Sequence, residues 1–462
     1  MNETRDLVDF LAKLEPRDLP AEVFDRTRYL LLDYVGVALR GSRVESSAPV
    51  YKMIERLNTA GCSTVIGTGF RTLPGYAALA NGTAAHAVEM DDTHNAGSIH
   101  LGVVMFSTAL ALAESIPGVS LERFTTAVVA GYEAAARIAM AVQPKEHYLL
   151  GFHPTATCGV FGAAVTAAKV LGLDREQMLS AFGIAGSMAA GSLEFLAEGA
   201  WTKRLHPGLA AQNGIQAAML AADGFRGPGK ILEGRDGFLH GYSRKPLPEL
   251  VTRDLGAPFE IMHVSVKPHA CCRYMQGPID AILALTRENH LHAEQIREID
   301  VAVLEAGWPL VAEPRAQKYN PRSIVEAQFS MPFGAAVAAI YGSAGVGQFN
   351  EENIYSPAVH RMMEKVVITR DSRIEEKFPH EWAARVILLL NDGRRLEKFI
   401  AHPKGDPGNP LSWDELVAKF KSLAMTVVSS DRCNELAALI REGNFGLGPD
   451  GLASYLISTS NS

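Results

Sequence analysis

GLAAQNGIQAAMLAA, residues 208–222, is built almost wholly from alanine, glycine and other apolar residues and carries no charge. Side chains this small let neighbouring helices approach closely and bury one another, which favours a compact bundle over an extended solenoid. The same character extends over roughly residues 18–264, where Val23, Thr27, Leu30, Tyr34 and Val37 recur at helical spacing behind Pro20, a residue suited to a first helical turn. Short breaks containing Gly or Pro, such as SIPGVS, QPKEHYLLGFHP and GFRGPGK, separate the segments. There is no fixed-period repeat.

The pattern changes after Lys267. Ile299, Val301 and Val303 alternate as in a half-buried strand, and KVVITRD adds a second β-branched run. ARVILLL and RRLEKFI flank Asn391, Asp392 and Gly393, which predicts a hairpin. Ser412 and Glu415 then form a capping box ahead of Leu416, Phe420 and Leu423, so the chain returns to helix. The expected fold class is mainly α: a large all-helical domain over 1–264 and a smaller α+β domain over 265–405. A length of 462 residues agrees with more than one core.

Hydrophobic residues make up 47% and charged residues 21%, the profile of an ordinary globular chain. With a formal net charge of -7 and no run of basic residues, nothing supports a nucleic-acid or anionic-membrane footprint. The opening MNETRDLVDFLAKLEP lacks the apolar run of a secretory signal, so the expected location is cytoplasmic. The longest stretch without Asp, Glu, Lys or Arg, Ala327 to Asn350, is broken by Gln328, Pro332 and glycines and reads as core, not a membrane span. Cysteines at 62, 158, 271, 272 and 433 form no CxxC pair, which argues against a disulfide framework or a structural zinc site.

Four segments could carry chemistry. NGTAAHAVEMDDTHNAGSIHLG gathers His86, Glu89, Asp91, Asp92, Thr93, His94 and His100. Each taken alone is explained as well by capping or core packing, but the cluster points to a site, because neighbouring carboxylates and imidazoles push each other's pKa values apart. A metal centre ranks lower, since no HExxH or other helix-phased ligand pair is present. In HYLLGFHPTATCGVFGAA, His153 stands at a helix entrance that Thr155 and Thr157 could cap, where an imidazole is kept neutral and an anion is favoured; Tyr148 lies in the same loop. EGAWTKRLHPGLAAQNG places Lys203, Arg204 and His206 before the small-residue helix, with at least one cation directed into a cleft. VKPHACCRYMQG puts Lys267, His269 and Arg273 at the expected domain boundary, a favoured place for small-molecule sites. GFRGPGK imitates a phosphate loop, but Ile231 replaces its Ser or Thr and a helix precedes it, so it reads as a turn.

In this order, NGTAAHAVEMDDTH with its following His, GFHPTATCGVFGAA, TKRLHPGLAAQNG and KPHACCRY resemble the MmgE/PrpD family along nearly the whole chain. That family includes 2-methylcitrate dehydratases, cis-aconitate decarboxylases and iminodisuccinate epimerase. The resemblance implies a helical domain completed by C-terminal helices over 406–462, a homodimer, and catalysis without metal or organic cofactor on a small di- or tricarboxylate. It nominates His153, Lys203, His100 and Asp91 as catalytic residues, and Asp92, Thr93, Lys267, Arg273 and Tyr148 as substrate-binding ones. Two departures stand out: Glu89 replaces the usual Asp before the DDT motif, and Leu101 stands where decarboxylase-like members have proline. The second weakens decarboxylation, and the resemblance implies dehydration first, as the commonest reaction of the family, with two-base epimerisation as its main rival, decarboxylation as a further alternative, and a non-catalytic carboxylate-binding dimer as the alternative of a different class.

Overall fold

The computed structural model describes residues 2–458. Its main helices are α1 (Ala21–Gly41), α2 (Pro74–His86), α3 (Gly102–Ser115), α4 (Leu121–Ala141), α5 (Gly159–Leu171), α6 (Thr202–Ala222), α7 (Gln276–Glu288), α8 (Met331–Tyr341), α9 (Trp413–Ala424) and α10 (Ser430–Glu442). Among the described residues eight strands accompany them: β1 (Ser63–Thr64), β2 (Arg71–Thr72), β3 (Thr93–His94), β4 (Val264–Ser265), β5 (Ile296–Ala302), β6 (Val366–Thr369), β7 (Ala384–Leu390) and β8 (Arg395–Ile400). Helix covers 56% of the chain, so the mainly α expectation holds.

Small side chains set the helix spacing. A Cβ on Gly208 in α6 would lie 2.2 Å from the Leu79 carbonyl oxygen in α2, and one on Gly82 would lie 2.8 Å from the Gly208 Cα. Only glycine at both positions permits this approach, which brings the C-terminal end of α2, with His86, to the N-terminal end of α6, with Lys203 and His206. Helix α6 also packs on α5, and α5 on α4. The stretch Pro154–Leu171 has the length and apolar composition of a membrane-crossing helix, with a mean hydropathy of 1.2, yet 89% of it is buried within the bundle. Here that apolar character serves core packing.

The later part of the chain forms a four-stranded sheet in the order β6-β5-β7-β8, with β5 parallel to β6 and the other pairs antiparallel. Ile299 and Val301 of β5 are fully buried, as their alternation predicts, and β7 and β8 form the expected hairpin around Gly393, whose φ is +89°. Helix α7 packs on β7, β8 and α8. A separate two-stranded pairing joins β3 to β4, matching Thr93 with Ser265 and His94 with Val264. That pairing holds the loop after α2 against the chain leading into Lys267.

Helix α9 begins with the predicted Ser412–Glu415 capping box and lies along α1, burying Leu416, Phe420 and Leu423. Its Lys419 ammonium reaches the Asp33 carboxylate of α1 at 2.5 Å and the Met90 carbonyl at 2.6 Å. Burial works against both charges, pushing the Asp33 carboxyl up and the Lys419 ammonium down, and their contact offsets part of that cost. Replacing Lys419 by Met leaves Asp33 buried without a counter-ion. Urea unfolding of this variant is expected to show a loss of about 3 kcal/mol against the parent chain. An unchanged midpoint and slope would show that the pair does not support the fold.

Candidate active site

The loop between α2 and α3 turns its two adjacent aspartates in opposite directions. Asp92 faces the helical core, where Oδ1 accepts the Gly102 backbone N–H at 2.8 Å and Oδ2 accepts the Tyr132 hydroxyl at 2.6 Å. Burial pushes its carboxyl up to about 6. Asp92 was expected to bind substrate; in the structure it anchors the start of α3, because its oxygens are taken by donors behind the loop. Asp91 faces the other way, with Oδ2 2.7 Å from His86 Nδ1 and 3.2 Å from His100 Nδ1, and Oδ1 3.3 Å from Lys267 Nζ. Burial alone would raise the Asp91 carboxyl, but His100, His86 and Lys267 outweigh it and hold it well below the usual range.

His100 is fixed both at its backbone and at its ring. Its N–H donates to Thr155 Oγ1 at 3.1 Å, and its Nδ1 faces three oxygens, the Asp92 carbonyl at 2.8 Å, Thr93 Oγ1 at 3.2 Å and Asp91. Surrounded by acceptors, Nδ1 carries the proton, which leaves Nε2 for the cleft. His94 belongs to a different network: its Nε2 lies 3.0 Å from Glu260, and its Nδ1 accepts the Gly97 N–H.

Lys203 and Lys267 both contact Glu89, Lys203 on Oε1 and Lys267 on Oε2 at 3.4 Å. Glu89 has a φ of +56°, in the left-handed region that non-glycine residues seldom occupy. Burial works to raise its carboxyl, yet the two lysines prevail and hold it well below the ordinary carboxylate range. Arg273 is likewise matched, by Asp406 on Nη2 and by Asn95 Oδ1 at 3.1 Å on Nε. Lys203, Lys267 and Arg273 are thus balanced by Glu89, Asp91 and Asp406, so the site is electrically close to neutral, unlike the field of free cations that an anion-binding role suggests. Desolvated cations need internal counter-ions.

His153 precedes a four-residue helical turn, Pro154–Thr157, and makes no capping contact with its side chain. The expected threonine caps are absent because Thr155 is engaged by His100 and Thr157 Oγ1 lies 2.8 Å from His147 Nε2. Burial, followed by His206 and Lys203, pushes the His153 imidazole well below its ordinary range, so the ring is neutral. Its neutrality therefore needs no helix dipole. The ring centres of His86 and His153 are 5.9 Å apart, those of His86 and His100 4.8 Å, and those of His100 and His153 6.5 Å.

These groups surround a cleft with about 490 Å³ of empty space, including its open mouth. His153, Lys203, His100, Thr93, Arg273 and Tyr148, all nominated from the sequence, line it together with Glu89. Asp91 and Lys267 stand behind that surface and touch its lining residues. Phe195, Leu193, Leu196, Leu310 and Phe329 supply an apolar wall, and no sequence pattern singled them out. Tyr148 bonds Ser98 Oγ at 2.8 Å, and burial raises its phenol, so it stays a donor. Cys272 also faces the cleft, with its thiol pushed up by burial, which disfavours a nucleophilic thiolate. The donors of His86, Asp91 and His100 lie within 4.8 Å of one another, close enough for a metal ion. Lys267 sits 3.3 Å from Asp91, however, and its positive charge opposes a divalent cation there.

Comparison with known proteins places the whole chain. Residues 5–250 match the MmgE/PrpD N-terminal domain and residues 269–442 the MmgE/PrpD C-terminal domain. A cis-aconitate decarboxylase-like protein of Aspergillus oryzae is 32% identical over 94% of this chain and 93% of its own length. The cis-aconitate decarboxylase of Aspergillus terreus is 28% identical over 95% and 92%, and that of Homo sapiens 28% over 92% and 88%. Two domain matches in the right order, with full-length likeness to these proteins, establish that the chain belongs to the MmgE/PrpD family.

Proposed function

We propose that this chain is a lyase that releases one carboxyl group, as carbon dioxide, from a small unsaturated tricarboxylate of the cis-aconitate type. The observation that carries the reading is the convergence of Lys203, Arg273, His100 and His153 on one cleft with an apolar wall. The sequence alone put dehydration first. Relatives named as cis-aconitate decarboxylases, alike over nearly their whole length, move decarboxylation ahead of it.

The chemistry follows from the residues. A carboxylate lying against Phe195, Leu196 and Phe329 is poorly solvated, whereas uncharged carbon dioxide is not penalised there. When the bond to that carboxylate breaks, its electron pair forms a new double bond with the neighbouring carbon. The former double bond gives its pair to the far carbon, next to a second carboxylate, and that carbon takes a proton. Lys203 and Arg273 stabilise the charge that accumulates on this second carboxylate. His100, held through Nδ1 by Asp91 and the Asp92 carbonyl, takes a solvent proton on its Nε2 lone pair and passes that proton to the carbon, returning to the neutral ring. Dehydration stays as the second reading because a neutral His153 can also accept a proton from carbon beside a carboxylate.

Proton NMR with cis-aconitate, citrate and 2-methylcitrate as candidate substrates tests the reaction. Decarboxylation gives a dicarboxylate one carbon shorter with stoichiometric carbon dioxide; an alkene formed without carbon dioxide would establish dehydration instead. Calorimetric binding of all three acids without turnover would overturn both in favour of a binding protein.

Lys203→Ala and His100→Gln are each expected to lower kcat by at least roughly a hundredfold with the fold retained by circular dichroism. Near-normal turnover in both would remove them from the mechanism. Dialysis against a strong chelator is expected to leave turnover unchanged, and a loss restored by added divalent metal would reinstate the His86, Asp91 and His100 cluster as a metal centre.

A further inference from the structure

We propose that His206 is the positioning residue that fixes the tautomer of His153, turning it into an uncharged hydrogen-bond donor for an anionic guest. This rests on the cleft being the carboxylate site. His206 lies one helical turn after Lys203 on α6, is 6% exposed, and does not line the cleft. Its Nδ1 is 3.0 Å from the Nδ1 of His153, with ring centres 5.2 Å apart.

Two nitrogen lone pairs at that separation repel, so one nitrogen carries a proton and donates it to the other. Two imidazolium rings would repel more strongly still, and burial opposes charge on both, lowering His206 to about 4 and His153 well below its usual range. The pair therefore shares one Nδ1 proton and has two neutral arrangements. If His153 donates, its Nε2 shows a lone pair to the cleft. If His206 donates, His153 carries its own proton on Nε2 and shows an N–H instead. The groups facing His153 are Lys203, the His86 and His100 rings, and Phe195, none of them an anion that would favour imidazolium. A carboxylate oxygen repels a lone pair and accepts an N–H, so an anionic guest selects the arrangement in which His206 donates. Binding and proton delivery are then divided between two imidazoles, His153 holding the guest and His100 transferring the proton.

Propane-1,2,3-tricarboxylate, which has no double bond to shift, serves as the probe. In histidine-selective nitrogen-15 NMR of the full chain with this probe bound, His153 Nε2 is expected to resonate as a protonated, pyrrole-type nitrogen. The signal is assigned by its loss in His153→Gln. His206→Asn retains an N–H donor near the Nδ1 position and should keep probe affinity within about threefold. His206→Met keeps the bulk with a neutral sulfur that can only accept, no longer holds His153 in the Nε2–H form, and should weaken the probe by about tenfold or more, the worth of one hydrogen bond to a charged group. A pyridine-type Nε2 with probe bound overturns the proposal whether or not the chain decarboxylates cis-aconitate. So does an equal loss of affinity in the Asn and Met variants at matched melting temperatures, which would mark His206 as packing only.

Discussion

Lys203, Glu89, Lys267 and Asp91 form one buried series of alternating charge, and the arrangement of the site depends on it. Removing each ion from water costs several kcal/mol, so none of them is stable there without its neighbours. The series ties the N-terminal end of α6, the loop after α2 and the exit of β4 into one unit, and it explains why Glu89 tolerates an unfavourable φ. It also means that the protein groups around the cleft sum close to neutral. On the function proposed above, a tricarboxylate takes lysine hydrogen bonds that Glu89 holds, so its binding redistributes existing ion pairs.

The scaffold makes such a series possible by bringing helix ends together. Gly82 and Gly208 let α2 and α6 approach until backbone nearly touches backbone, which sets His86 close to Lys203. Strand pairing of Thr93 with Ser265 adds Lys267 from a segment far away in the chain. From the opposite side α9 returns along α1, and Lys419 holds the Met90 carbonyl, one residue before Asp91. Residues separated by more than three hundred positions thus fix the same loop.

Around this unit the imidazoles differ in task because their partners differ. His100 faces only acceptors at Nδ1, His153 faces another imidazole, and His94 is occupied by Glu260. Rings of one residue type, gathered within a few ångströms, acquire separate chemistry from their hydrogen bonds.

The sequence by itself determined the elements and most of the lining. Helical spacing placed α1, the Asn391–Gly393 turn placed the β7–β8 hairpin, Ser412 and Glu415 placed α9, and motif order nominated six residues that line the cleft. These are local signals, set by side-chain period, turn geometry and capping. Only the tertiary structure decided which way Asp91 and Asp92 point, that Thr155 serves His100 instead of a helix cap, and that Glu89 neutralises two lysines. The physical reason is that a buried polar atom takes whichever partner packing brings within reach, and those partners come from parts of the chain whose proximity no local pattern records.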